Sequence, residues 1–140
     1  MKQSNKTILS GAVIIEDGKI LLLWKNKQQH YELPGGKVDP GELLEEAAIR
    51  EAREEIGCDI EIIKYLGFSE HKMDKYPTDD GIKISHKFLV NIKEGQRPKV
   101  AEPDKFSHML WMPLAEWKSY VLAPNVSELV INFIKEYPQG

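Results

Sequence analysis

Between Gly36 and Cys58 the chain reads GKVDPGELLEEAAIREAREEIGC, placing six glutamates and two arginines in one loop and one helix. Winding this segment at about 100° per residue puts Leu44, Ala47, Ala48 and Ala52 on one apolar stripe. Glu51 and Glu55 fall inside that stripe, with Glu54 on its shoulder. The three acids stand at i, i+3 and i+4, so they are neighbours on one helix face. Acids belong on the solvated side of such a helix. At ~5 Å and an effective dielectric of ~20, each like-charged pair costs roughly 3 kcal/mol. Several such terms would consume much of the ~5–15 kcal/mol that holds a small domain together. A divalent cation removes the cost, because hard carboxylate oxygens are what Mg²⁺ or Mn²⁺ binds.

Glutamate is also a strong helix former, and acidic clusters commonly mark a solvated face. Glu42, Glu45 and Glu46 fit that plain description. Arg50 stands at i±4 from Glu46 and Glu54, with Arg53 on the same polar side, and such pairs contribute a few tenths of a kcal/mol each. Only the placement of Glu51 and Glu55 on the packing stripe asks for more.

The segment resembles the Nudix hydrolase signature. Gly36, Glu42, Arg50, Glu51, Ala52, Glu54, Glu55, Gly57 and Cys58 occupy its constrained positions at the right spacing across 23 residues. The resemblance implies an α/β fold, the Nudix α/β/α sandwich with a mixed sheet between helices. It implies Mg²⁺ (or Mn²⁺) held by Glu51, Glu54 and Glu55, with the carbonyl of Gly35 as a further ligand. Arg50 would orient the glutamates by charge-assisted hydrogen bonds. A further acid is expected from a loop outside the motif, as ligand or general base. Glu102 in the AEPDKF segment is the first candidate and Asp104 the second. Glu42 reads as mainly structural, through a capping-box spacing. The implied reaction is hydrolysis of a nucleoside diphosphate linked to another group, foremost a nucleoside triphosphate cleaved to monophosphate and pyrophosphate. The alternatives are a nucleotide-sugar or ADP-ribose hydrolase, or a non-catalytic nucleotide-sensing module.

Other phosphate motifs are absent. Gly41 is followed by Glu42 rather than by the Lys-Ser/Thr of a P-loop, and no GxGxxG occurs. The 140 residues suggest a single domain over 1–140, burying ~two-thirds of its unfolded surface. A net charge of −3 with no basic run argues against nucleic acid as partner. No stretch approaches the ~20 apolar residues of a membrane span. The single cysteine, Cys58, excludes an internal disulfide and suits a reducing, cytoplasmic setting. The four histidines show no metal-ligand spacing and read as surface or loop residues. A small nucleotide is the expected partner, with the chain a monomer or homodimer.

Hydrophobic alternation predicts strands over 7–15 and 19–25 joined at Asp17-Gly18, then 31–33, 59–68, 82–92 and 109–112. A turn at Asp79-Asp80-Gly81 separates the fourth and fifth of these. Asp39 and Pro40 mark the start of the acidic helix and Gly57 its end. A mobile loop is expected over 94–106, a brief helix over 113–117, and a last helix over 126–137. Trp24, Phe68, Phe88 and Trp111 could offer a base a stacking face, although strand aromatics usually pack into the core. Lys25, Lys83 and His86 could meet phosphates, although exposed strand residues of this kind are ordinarily surface.

Overall fold

Apolar runs unbroken by alternation, such as Ile20 to Leu23, need burial on both faces of a sheet. That is how they are used. A computed structural model describes residues 6–72 and 81–138. Its strands are β1 (Lys6–Glu16), β2 (Lys19–Lys25), β3 (His30–Glu32), β4 (Gly35–Lys37), β5 (Ile60–Lys72), β6 (Ile82–Ile92) and β7 (Phe106–Pro113). The helices are α1 (Leu44–Ile56) and α2 (Pro124–Glu136), with a 3₁₀ segment at Leu114–Ser119. The sheet runs β3-β2-β1-β6-β5, with β7 also on β2 and β4 also on β1. β1 and β6 are parallel over nine residue pairs, while the other pairings are antiparallel, so the sheet is mixed.

Alternate residues of each central strand serve opposite cores. Ala12, Ile14, Leu21, Leu23, Phe88 and Val90 join Ala48, Ala52 and Ile56 of α1. Val13, Ile20 and Leu22 join Val126, Leu129 and Val130 of α2. This is the expected α/β/α sandwich. β1 divides its edge between two partners: residues 9–11 pair with β4, and Ile15 and Glu16 pair with β2. The sheet therefore parts beside the Pro34-Gly35-Gly36 bend.

The structure corrects four expectations. α1 begins at Leu44, not at Asp39-Pro40. Asp39 and Glu42 instead close a turn of their own, each backbone N–H donating to the other residue (Glu42 N to Asp39 O, Asp39 N to Glu42 Oε1, both 3.0 Å). The first helical turn is capped by Glu46, whose carboxylate accepts from the Leu43 N–H at 2.8 Å, so Glu46 is not the partner of Arg50. Pro34-Gly35-Gly36 reads in sequence as a turn, but Gly35 and Gly36 continue with Lys37 as a short strand on β1. The loop after β6 is pinned rather than loose: Lys99 N donates to Ile56 O (3.0 Å) and Ala101 N to Glu55 O (2.9 Å). The expected turn at Asp79-Asp80 lies outside the described residues. Cys58 is buried in the α1-side core, as a small apolar residue would be.

Candidate active site

The end of α1 carries its two misplaced acids inward. Glu51 is 8% exposed and Glu55 3% exposed. Both reach the glycine bend. Glu55 Oε1 accepts the Gly35 N–H at 2.6 Å. Glu51 lies against Gly36, where a Cβ would stand 2.5 Å from its Oε1. The bend can approach the carboxylates only because it has no side chain there.

Arg50 fixes the rim. Its Nε and Nη2 donate to the two oxygens of Glu42 (2.7 and 3.0 Å), its Nη1 to Glu51 Oε1 (3.0 Å), and Nη2 also to Lys37 O (2.9 Å). Nη1 reaches both oxygens of Glu54 at 3.3 Å. Glu42 is thus explained by a bidentate guanidinium pair. The Arg50 hydrogen bonds hold its carboxyl down at about 2, while Glu42, first of the causes, and Glu51 raise Arg50. Glu54 is the exposed member of the acidic trio.

Glu102 arrives from the other side, on the loop that Ala101 ties to the Glu55 carbonyl. Its Oε1 is buried and has no hydrogen-bond partner among the described residues, and its Oε2 lies 3.5 Å from Lys105. Asp104 is exposed on the turn beyond it. Burial foremost, then the charges of Glu51 and Glu102, push the Glu55 carboxyl up to about 9 against the opposing Gly35 N–H. Burial likewise raises Glu51, although Arg50 opposes it. The structure therefore brings Glu51, Glu55, Gly35 and Glu102 to one place, with Arg50 and Glu54 at its rim. Asp104 is left out.

This donor set fits a hard divalent cation. Every group offered is a carboxylate or peptide oxygen, one carboxylate oxygen is buried without a hydrogen-bond partner among the described residues, and Glu55 is raised by burial and then by the charges of Glu51 and Glu102. Among the described residues no group of three His, Cys, Asp or Glu side chains stands close enough together to hold a metal ion by itself. Few carboxylates plus phosphate and water is the shell that Mg²⁺ prefers.

Of the aromatic candidates, Phe88 is core and Trp111 packs on the α1-side core. Phe68, expected to pack, is 59% exposed. Trp24 stacks on His108 (ring centroids 5.8 Å), which is bonded to Tyr31 Oη at 2.8 Å. His86 is half-buried against Tyr65, bonded at 2.8 Å. Lys25 is close enough to Glu55 to favour its charge. Lys83 lies on β6 away from the bend, opposite Thr7 and His71.

Two polar residues went unnoticed in the sequence. Lys87, on β6, is 4% exposed and faces α2. Asn125, in the first turn of α2, donates from Nδ2 to Glu32 Oε1 at 3.1 Å, tying that helix to the strand before the glycine bend. A lysine amid SHKFLV carries a faint signal, a charge at an inward-facing strand position.

A family model described as the NUDIX domain matches residues 7–133. A Bacillus subtilis protein with the provisional name 8-oxo-dGTP diphosphatase is 49% identical over 55 residues, 39% of this chain and 35% of that protein. The CTP pyrophosphohydrolase of Escherichia coli is 36% identical over 66 residues, 44% of this chain and 49% of that protein. The chain thus spans half or less of the length of these two curated relatives. The crystal structure of a MutT NUDIX hydrolase from Burkholderia pseudomallei superposes with a TM-score of 0.77 at 27% identity, over 91% of this chain and 98% of that one. Among the described residues no helix is long and apolar enough to cross a membrane. With the motif complete, the sandwich in place and the match running over most of its length, the chain belongs to the NUDIX domain family, the Nudix hydrolases.

Proposed function

We propose that this chain, as a single domain over residues 1–140, is a Mg²⁺-dependent pyrophosphohydrolase. Its substrate is a nucleoside diphosphate linked to another group, foremost a (deoxy)nucleoside triphosphate cleaved to monophosphate and pyrophosphate. One observation carries the reading. Glu51 and Glu55 are buried on the packing side of α1 at the glycine bend, with a Glu102 oxygen on the adjoining loop that has no partner among the described residues. The names of the relatives, an 8-oxo-dGTP diphosphatase and a CTP pyrophosphohydrolase, support nucleotide substrates.

Divalent metal ions are the family's general cofactor, and a bound one neutralises phosphate charge and acidifies water. The chain's own residues do the rest. Glu51, Glu54, Glu55 and the Gly35 carbonyl would hold the ion, and Glu102 would supply either another oxygen to it or the acceptor for a water proton. Arg50 aims Glu51 and Glu54 through its hydrogen bonds to them. Gly36 lets the Glu51 carboxylate lie against the bend, where a Cβ would stand 2.5 Å from its Oε1.

The test is a hydrolysis panel with Mg²⁺, scored for pyrophosphate against inorganic phosphate. Glu54→Gln and Glu55→Gln should keep the fold and lower kcat by about a hundredfold or more. Wild-type turnover retained in both variants would overturn the assignment. Release of pyrophosphate from triphosphates supports the favoured reaction. Cleavage confined to sugar conjugates or ADP-ribose moves the substrate to that class, and nucleotide binding without product points to a sensing module.

A further inference from the structure

Arg50 answers the negative charge of the site from the helix side only. Its guanidinium has five N–H donors, and they are spent on Glu42, Glu51, Glu54 and the Lys37 carbonyl. None is left for Glu102. Among the described residues the ion pair on Glu102 comes from its own loop, where Lys105 Nζ lies 3.5 Å from Oε2.

The backbone makes that pairing a property of the loop. Lys105 and Phe106 both donate their N–H to Glu102 O (3.0 and 3.1 Å), closing a turn that sets side chains 102 and 105 side by side. One end of the turn is tied to α1 through Ala101 N and Glu55 O (2.9 Å). The other is tied to the end of β2 through Asn26 N and Lys105 O (2.9 Å). The Lys105 side chain itself is 60% exposed, so its ammonium can leave Glu102 at little cost while its backbone stays put. Its charge is felt inside the site. The Glu51 carboxyl, raised foremost by burial, is drawn down by Arg50 and then by Lys105.

We propose that Lys105 is a positioning residue that holds Glu102 in the metal-free protein, so that the site takes its divalent ion together with nucleotide phosphate rather than alone. The inference rests on the metal-binding role proposed above for these acids. A bare ion reaching Glu102 meets a positive charge already there, and the repulsion weakens its hold. An ion arriving on a triphosphate brings anionic oxygens with it. The ammonium displaced from Glu102 can turn to one of them, and the repulsion gives way to attraction. Metal and nucleotide therefore strengthen each other's binding, and the coupling is reciprocal.

The experiment measures Mn²⁺ binding to nucleotide-free protein by electron paramagnetic resonance. It then measures, by calorimetry in saturating Mg²⁺, the affinity for uncleavable α,β-methylene deoxynucleoside triphosphates. Lys105→Met should bind bare Mn²⁺ about threefold to tenfold tighter than wild type, and the Mg²⁺–nucleotide complex about threefold or more weaker. Lys105→Arg, which keeps the charge, should stay within about twofold of wild type in both. In a Glu102→Gln background, Lys105→Met should move the Mn²⁺ affinity by less than about twofold, because the carboxylate through which it acts is gone. A lysine that merely supports the fold would move the two affinities in the same direction. Affinities shifting together, a tightening that persists without the Glu102 charge, or no change in Lys105→Met would each overturn the proposal. A wild type that binds no Mn²⁺ overturns the metal reading and this one with it. Mn²⁺ binding indifferent to Lys105 removes this one alone.

Discussion

Gly35 and Gly36 are neighbours that fail in different ways when given a methyl group. A Cβ on Gly35 would stand 2.6 Å from both Gly11 Cα and Ser10 O, which are backbone atoms in the middle of the sheet. Neither can yield without breaking the β1–β4 pairing. Gly35→Ala should therefore destabilise the fold by about 3 kcal/mol or more, read by urea denaturation. A Cβ on Gly36 would meet only the end of the Glu51 side chain. That side chain can swing aside, so Gly36→Ala should fold nearly as well as wild type. It should nonetheless raise the Mg²⁺ concentration needed for half-maximal hydrolysis by about tenfold, since Glu51, the ligand proposed above, would be displaced. An activity profile unmoved by Gly36→Ala would show that the Glu51 position is irrelevant to turnover. The spacing of Glu51 from Gly36 was legible in the sequence, but the contact between them was not, because it depends on β4 lying flat along β1. Glu102 was reachable only as one of two loop acids. Its selection over Asp104 comes from two backbone hydrogen bonds that no side-chain pattern encodes.

At the scale of the element, α1 shows which signals are local and which are borrowed. Its end is local: Gly57 takes a left-handed conformation (φ 67°) that glycine adopts freely, and the helix stops there as its sequence implies. Its start is borrowed. Asp39, Pro40 and Glu42 present good capping chemistry, and Asp39 N–H does donate to Glu42 Oε1, while the same carboxylate accepts from one edge of the Arg50 guanidinium. The helix itself starts one turn later, where Glu46 caps the Leu43 N–H. Gly57→Ala should cost about 1 kcal/mol in a denaturation titration through the left-handed backbone alone. The added methyl would also stand 3.1 Å from Lys99 Cε, on the loop that carries Glu102. Hydrolysis should accordingly fall further than the stability loss explains. A variant losing stability without any loss of kcat would uncouple that loop from the site. The loop after β6 had been expected to move, since lysines and prolines give no hint of the carbonyls of Glu55 and Ile56 that its amides find.

For the molecule as a whole, two carboxyls raised by burial make the metal-free protein sensitive to pH. Glu55 in the folded chain holds its proton up to about 9, and Glu51 is raised as well. An unfolded glutamate releases its proton near 4.3. Between these limits the unfolded state binds fewer protons, so stability is greatest below the unfolded value and falls as pH rises. Glu42 and Asp59 act in the opposite sense, each lowered first by an arginine hydrogen bond, but their contribution is complete above the ordinary carboxylate range. The melting temperature of metal-free protein should therefore drop from pH 5 to pH 8. Glu55→Gln should flatten that slope, and Mg²⁺ should stabilise wild type at pH 8 more than the variant. A flat wild-type profile, measured by differential scanning calorimetry in chelator, would refute the buried-acid account.

The amino-acid sequence by itself determined the chemistry and the layers. The acids at i, i+3 and i+4 follow from covalent order and helical pitch, and the strand and helix runs follow from hydrophobic period, so both are readable one segment at a time. Only the tertiary structure decided what each group meets. The parallel pairing of β1 with β6 puts Lys87 in the row of Gly35 and Gly11, and the pairing of β6 with β5 brings its ammonium to Ser69. Strand order and register are set by closing contacts between residues dozens of positions apart. Those closures depend on how all the apolar faces are buried together, a condition of the folded whole that no single stretch of chain carries.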